Sequence, residues 1–342
     1  MGLDSRITSL KERRADMEKK RYLITVMFLT LLVTSFFIAG TGFSQDFPKR
    51  TIQYIVGWGA GGGSDIFGRV ITVPVKNNLG VPVIVVNMPG ASSATATNYV
   101  MDQPADGYTL FGITSDIMSN IFLARTKYTN RDLTPIIRAH VDIGMIQIGP
   151  HTPFKTWDAL IKHAKENPGK QTWGGTGAGS YDEVATAVIR SSAGINVKYV
   201  PFESASEMHA ALLGGHIHAM YEEAGPVIAM IDAGKTQPVI VIADKRLERF
   251  PNVPCAKELG YSVPPFQWRG VAVKKGTPQP IVDILEKAFI GAVKSPEYQD
   301  FEKKRFLNLY PGFLGSKDFA VDMEREYPIY EKIMKTMGQA TK

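Results

Sequence analysis

From residue 51 onward, short apolar runs alternate with stretches whose apolar positions recur every three to four residues. The first half predicts a strand over 51–56, a helix over 65–79 and a second strand ending at Asn87. A helix over about 92–103, the strand "YTLFGIT" and a helix from near Ser115 complete it. Strand–helix–strand units at this spacing imply a mainly parallel sheet with helices on its faces. The long apolar stretch "IIRAHVDIGMIQIGP", 136–150, is long enough to leave one sheet and enter another. A second series follows: "WDALIKHAKENPGK" as a helix, "QTWGG" as a strand, "SYDEVATAVIRSSAG" as a helix, then "NVKYVPF", "SEMHAALLGG", "IHAMYE", "GPVIAMIDAGK" and "PVIVIA". The tail adds the strand in "RGVAVKK" and helices up to 317–337. The expected architecture is α/β with two hinged lobes and a cleft between them. One lobe takes 45–148 and 269–342, the other 149–268. In open α/β sheets, ligands sit beyond the carboxyl ends of strands, so the loops after strands are the candidate site.

The N-terminus departs from this pattern. Lys19, Lys20 and Arg21 precede an uncharged run from Tyr22 to Ala39, and small residues follow at Gly40, Gly42 and Ser44. That is the layout of an export signal, with cleavage expected near Ser44. The run is about 18 residues, near a bilayer span, so a retained anchor is the alternative. Either way the globular part lies outside the cytoplasm. Of the net charge of +6, half sits in residues 1–44, which hold seven Lys or Arg and four Asp or Glu. The remainder is too weakly basic to suggest nucleic acid. The single cysteine, Cys255, excludes an intramolecular disulfide.

The stretch "IQYIVGWGAGGGSD" fits G-x-G-x-x-G after a strand and before a helix. A dinucleotide fold also needs an acid at the end of the second strand, and Asn87 stands there. The glycine turn is therefore read as an anion site. Gly61, Gly62 and Gly63 allow close approach, Ser64 is the expected N-cap of a helix starting at Asp65, and its first amides face the ligand. In "NMPGASSATAT", Asn87 either braces the turn or reaches a ligand. In "TSDIMSN", Thr114 and Ser115 offer hydroxyls, and Asp116 is expected chiefly as a helix cap. A second glycine turn, "GGTGAGSYDE", brings Thr176, Gly177, Ala178 and Ser180. Glu203 and Ser204 in "PFESASE" are further candidates to face the cleft. Glu222 and Glu223 either satisfy helix N-termini or meet the ligand. His216 and His218 lack a third metal ligand nearby, so no metal is expected. No nucleophile–base set appears among these residues, which favours binding over turnover.

The ordered set "FPKRTIQYIVGWGAGGGSD", "NMPGASSATATNYV", "PADGYTLFGIT", "GTGAGS", "VPF", "LLGGHIHAMYE", "AGK" and "KKGTP" resembles the tripartite tricarboxylate transporter substrate-binding proteins, the Bug family. The resemblance runs from about Phe47 to Phe319. It implies a periplasmic type II binding protein, the Venus-flytrap fold, without a cofactor. Such a receptor takes a small carboxylate and hands it to a membrane permease of two subunits. Carried over by motif, the ligand loops are Trp58 with Gly61, Gly62, Gly63, Ser64 and Asp65; Asn87, Ala91 and Ser92; and Thr114, Ser115 and Asp116. Thr176, Gly177, Ala178 and Ser180, then Phe202, Glu203 and Ser204, and finally Glu222 complete the set. Three departures surround the pocket: "SSATAT" after Pro89-Gly90, Tyr181-Asp182 after the second glycine turn, and Arg269 after Trp268. Arg269 is expected as a solvated rim charge, with partnership to a second carboxylate as the alternative. A di- or tricarboxylate is the favoured ligand and an aromatic carboxylate the next. A sensor role with a kinase partner, or an extracytoplasmic enzyme on the same fold, are the other classes. A monomer is expected.

Overall fold

The computed structural model describes Met17, Lys19 to Arg21 and residues 47–338. The proposed export signal and its cleavage site lie outside these residues, apart from Met17 and the helical, exposed Lys19, Lys20 and Arg21. The chain divides into units 1–49 and 50–342, and the second holds the α/β fold.

Its first sheet begins with β1 (Ile52–Val56), buried at four of five positions. The helix α1 (Gly63–Leu79) follows and buries Phe67, Ile71 and Val75, the i, i+4, i+8 face of a helix. Gly80, left-handed at φ 71°, ends it. Next come β2 (Val83–Asn87), α2 (Ala94–Asp102), β3 (Thr109–Thr114) and the short α3 (Asp116–Asn120). The predicted strand-to-helix order is present. The helix start is not: Gly62 is the N-cap and Ser64 is already inside the helix, because three glycines let the turn tighten earlier.

The long apolar stretch crosses between sheets. β4 (Leu133–Asp142) belongs to the first sheet and β5 (Gly144–Ile148) to the second, with Ile143 between them. A Cβ on Gly144 would lie 2.3 Å from the Tyr221 hydroxyl, so glycine is required where the chain crosses. The second sheet continues through α4 (Trp157–Glu166), β6 (Thr172–Thr176), α5 (Tyr181–Ala193), β7 (Lys198–Phe202), α6 (Ala205–Leu213), β8 (Ala219–Glu223), α7 (Ala224–Asp232) and β9 (Gln237–Ile242). The chain returns in β10 (Gln267–Lys274), then α8 (Gln279–Val293), α9 (Pro296–Lys304), β11 (Leu314–Gly315) and α10 (Ser316–Thr336).

Strand order is β11-β4-β10-β3-β1-β2 in the first sheet and β7-β6-β8-β5-β9 in the second. Parallel pairing holds within the strand–helix–strand halves, β2-β1-β3 and β7-β6-β8. The strands that enter from the other sheet run antiparallel: β10 against β3 and β4, and β5 against β8 and β9. Both sheets are therefore mixed. The helix α10 closes the first sheet by burying Phe319, Met323, Tyr330 and Met334 along one face. Full burial of such side chains contributes about 1.5–3 kcal/mol each. Asp322 on the same helix pairs with Arg138 of β4, both largely buried. Among the described residues, no helix is long and apolar enough to cross a membrane.

Candidate ligand-binding site

Loops from both sheets converge on one cavity of about 30 Å³, room for about two waters. Trp58, Gly62, Gly63 and Ser64 come from the turn after β1, and Asp116 from the loop after β3. The second sheet supplies Thr176, Asp182, Glu203, Ser204, Glu222 and Glu223, and β10 supplies Gln267 and Arg269. A second cavity of about 280 Å³ shares Trp58 and Glu203 with the first. It is lined by Ala91, Ser92, Arg125, Gly177, Ala178 and Phe202, among others.

The first wall is the start of α1. Its N-cap is a glycine with no side chain to satisfy the first amides, which leaves them directed toward the cavity. Asp65 is turned away: one oxygen accepts the Gly61 N–H at 3.1 Å and the other lies 2.9 Å from Arg69 Nη2. Asn87 also faces the turn itself. Its Nδ2 donates to Trp58 O and its Oδ1 accepts from Arg69. Asp65 and Asn87 therefore shape the glycine turn and do not line either cavity. Gly61 keeps the left-handed φ of 88° that the turn requires and stands off the cavity as well.

Ala91, Ser92 and Ser93 follow with φ of 47°, 52° and 74°, a run of non-glycine residues in the left-handed region. Backbone held in such conformations tends to cluster at ligand sites. Ser92 Oγ donates to Ala178 O across the cleft at 2.8 Å, and Arg125 Nη1 donates to both Ser92 Oγ and Ala178 O. A Cβ on Gly177 would lie 2.5 Å from Ser92 Oγ, so the two turns meet only because Gly177 has none.

Thr114 and Ser115 do not line the cavity; their hydroxyls donate to two residues that do, Asp116 and Gln267 respectively. Asp116 does not cap its own helix. Ser115 occupies that N-cap, while Asp116 Oδ1 accepts the Tyr181 N–H of α5 at 2.7 Å and Oδ2 accepts from Thr114 and Gln267. Its carboxylate thus sits on the N-terminus of a helix in the other sheet. Ser180 is the N-cap of α5, yet its hydroxyl donates back to Gly177 O, and Ser180 stands off both cavities.

Arg269 is not a rim charge. It is 3% exposed, because β10 runs antiparallel and its first residues lie beside the carboxyl ends of β3 and β4. Its Nη1 lies 3.2 Å from Asp142 Oδ2 and its Nη2 3.2 Å from Glu223 Oε1. The Asp142 contact is an ion pair without hydrogen-bond alignment. The guanidinium presses on the start of α1: a Cβ on Gly63 would lie 1.8 Å from Nη2. Burial opposes the charge of Arg269, but Asp142, Glu223, Glu222 and Asp116 more than offset this and hold it above its ordinary value.

Around it the carboxyls are pushed up. Burial raises Asp142 to about 7, with Glu223 adding to the rise and Arg269 resisting it. Burial, then Glu223 and Glu222, lift Asp182 well above the ordinary carboxylate range; Thr176 resists through its N–H and hydroxyl. Burial and Glu223 do the same to Glu222. Glu222 Oε2 meets His209 Nε2 at 2.8 Å, and burial lowers that imidazole, so this contact is drawn toward a hydrogen bond between neutral groups. Glu223 is the N-cap of α7 but caps nothing with its side chain; it faces Arg269 instead.

Asp182, Gln267, Glu223, Arg269 and Arg125 are the polar and charged cleft residues that the motif-based set leaves out. Asp182, an acid in a first helical turn, stands out in sequence only as part of the Tyr181-Asp182 departure from the family pattern. Gln267 opens a strand and so falls outside the loops that follow strands, and Arg269 stands out in sequence only as a departure from the family pattern. Among the described residues, no group of three or more His, Cys, Asp or Glu is placed to hold a metal. Cys255 is buried and free.

Two open, helix-flanked sheets whose strand ends face one cleft are the architecture of a periplasmic solute-binding protein. The chain belongs to the tripartite tricarboxylate transporter receptor family, whose model, TctC, matches residues 67–329. It is 31% identical over 297 residues to a Cupriavidus necator protein named "UPF0065 protein in gbd 5'region", covering 85% of this chain and 89% of that one. It is 29% identical over 278 residues to BugT of Bordetella pertussis, covering 78% and 84%. Among solved structures, R. palustris Rpa4515 with adipate superposes with a TM-score of 0.79 at 27% identity, covering 86% of this chain and 99% of that one. The resemblance stated above is thereby borne out for family and fold. That family and fold are those of solute-binding receptors.

Proposed function

We propose that this protein is an extracytoplasmic receptor that encloses a small carboxylate between its two sheets and delivers it to a two-subunit membrane permease. The observation that carries this reading is the convergence of α1's uncapped first turn with cleft loops from the second sheet on one cavity. A helix N-terminus with free amides and a partial positive charge stabilises a carboxylate without a dedicated cation. The lobes are assigned as 45–148 with 269–342, and 149–268, after removal of an export signal near Ser44. The receptor acts as a monomer. At about 30 Å³ the inner cavity is smaller than any dicarboxylate, so the sheets part to admit ligand and close over it. The adipate bound by Rpa4515 supports a carboxylate ligand of di- or tricarboxylate type.

A thermal-shift screen of the purified protein tests the reading. The panel holds mono-, di- and tricarboxylates, aromatic acids, amino acids and NAD. Ligand that binds only the native state raises the melting temperature by mass action. A shift with a carboxylate and none with NAD is expected; no shift with any carboxylate-bearing compound overturns the assignment.

A further inference from the structure

The inner cavity carries much more negative charge than a carboxylate site needs. Asp116, Asp182, Glu203, Glu222 and Glu223 line it against a single guanidinium, Arg269. Asp142 stands behind Arg269, and that guanidinium is already matched by Asp142 and Glu223, each at 3.2 Å. Four of the five lining acids are almost fully buried: Asp116, Asp182, Glu222 and Glu223 are exposed by 6% or less. Buried charge persists where it is paired and is neutralised where it is not. Asp116 has partners for both oxygens in Thr114, Tyr181 N–H and Gln267. Asp182, Glu222 and Glu223 are buried together in the lining of this one small cavity, and Glu223 and Glu222 both push Asp182 toward its protonated form. Among the described residues, no cation other than Arg269 lines this space.

The opposite wall has the opposite preference. The first amides of α1, at Gly63 and Ser64, and the Arg269 guanidinium against Gly63 favour an anion. One small cavity therefore holds an anion-seeking wall and a cation-seeking wall.

We propose that the ligand is an amino carboxylate: its carboxylate meets the α1 amides and Arg269, and its protonated nitrogen sits among Asp182, Glu222 and Glu223. This rests on the receptor reading above and narrows its ligand. A purely anionic ligand adds negative charge beside three acids whose partners among the described residues are Thr176 for Asp182, His209 and the Glu223 N–H for Glu222, and Arg269 for Glu223, and it favours the protonated forms of Asp182 and Glu222. An ammonium group does the reverse: it favours the ionised carboxyls and drives protons off them. The groups facing this cluster are Asp116 on α3, Asp142 and His140 on β4, Tyr181 on α5, Tyr199 on β7 and Glu203 beyond it. His209 on α6, Tyr221 on β8, Arg269 on β10 and Arg305 beyond α9 complete them. His140 is driven toward neutrality by burial and by Arg269, so it supplies no counter-charge.

Titration calorimetry of the purified protein with matched pairs tests the proposal: aspartate and succinate, glutamate and glutarate, 4-aminobutyrate and butyrate, phenylalanine and 3-phenylpropionate. Each titration is run near pH 7 in two buffers of different ionisation enthalpy, which reads the protons taken up or released. At least one amino carboxylate is expected to bind tenfold or more tighter than its deaminated partner, with net proton release. Glu223→Gln and, separately, Glu222→Gln are each expected to shrink that preference at least tenfold; retention of the preference in both folded variants overturns the placement of the nitrogen. Tighter binding of a deaminated acid with proton uptake overturns this inference and leaves the carboxylate receptor standing. Absence of binding by every compound, with no carboxylate shifting the melt, overturns both.

Discussion

Asp116 Oδ1, just beyond the end of β3 in the first sheet, accepts the backbone N–H of Tyr181, the first residue of α5 beside the second sheet, at 2.7 Å. The same carboxylate also accepts from Thr114 and from Gln267. One buried side chain thus ties the carboxyl end of a strand to the N-terminus of a helix across the cleft. A buried donor left without an acceptor costs about 1–3 kcal/mol. Asp116→Ala is expected to lower stability by about 2 kcal/mol, within that range. Asp116→Asn keeps one acceptor oxygen and should lose less. Urea unfolding curves of the two variants measure the difference; equal stability of Asp116→Ala and the parent would remove the tie.

The glycines of the first turn differ in what they tolerate. A Cβ on Gly62 would lie 3.6 Å from Ala205 Cβ, ordinary contact, whereas one on Gly63 would lie 1.8 Å from Arg269 Nη2. Gly62→Ala should change stability by no more than about 0.5 kcal/mol. Gly63→Ala displaces a buried guanidinium held by two carboxylates and should cost about 1–3 kcal/mol, the range for overpacking. Thermal melts of both variants decide this, and similar values for the two would show that Arg269 does not rest on the turn.

Stability should fall as pH rises through neutrality. Asp142 is raised from 3.8 to about 7, chiefly by burial, with Glu223 adding and Arg269 and Arg305 resisting. Between these values the native state holds a proton that the unfolded chain has lost, so stability declines with rising pH. The stabilisation is fully present below about pH 4 and is lost as pH passes about 7. Glu326, raised to about 7 chiefly by burial, and Asp182 and Glu222, also raised, act in the same direction. Asp65, Glu258 and Glu324 are lowered and oppose the trend below the carboxylate range, and His140, His209 and His218, lowered by burial, oppose it in part as pH falls through the ordinary histidine value. Melting temperatures of the ligand-free protein should be higher at pH 5.5 than at pH 8. Asp142→Asn should flatten part of that slope, and a slope unchanged in this variant would exclude Asp142 as its source.

The pair between Asp322 and Arg138 fastens α10 to β4, with both side chains about nine-tenths buried. Removing one partner of a buried pair leaves the other charge uncompensated, at a cost of about 3–5 kcal/mol. Arg138 Nε also donates to Gly312 O at 2.7 Å, which does not replace the lost charge. Asp322→Ala is expected to fall in that range by denaturant titration. A loss below about 1 kcal/mol, typical of surface pairs, would show that the pair is solvated.

Much of this fold is written in local patterns. The strand at Val83–Asn87 was predictable to the residue, since an apolar run bounded by Pro82 and by Pro89-Gly90 has little freedom in its limits. The crossing from β4 to β5 was legible because its apolar run exceeds what one strand of one sheet needs. The glycine turns at Gly61 to Gly63 and at Gly174 to Gly179 were legible because backbone freedom is a property of the residue itself. Their helix boundary was less so: Gly62 displaced Ser64 as the N-cap, a choice made by the turn's own geometry.

The sequence by itself determined the order of strands and helices, the two glycine turns and the family, because periodicity and glycine content act over a few residues. The tertiary structure decided what those turns face. Arg269 is a buried ion rather than a rim charge because β10 returns antiparallel and sets its start beside the ends of β3 and β4. Asp116 caps a helix of the other sheet, and Asp182, Glu222 and Glu223 share one cavity, because chain crossings bring together residues far apart in sequence, Asp116 and Gln267 by 151 positions. Electrostatic environment depends on distance through space and on burial, and neither is encoded in local pattern.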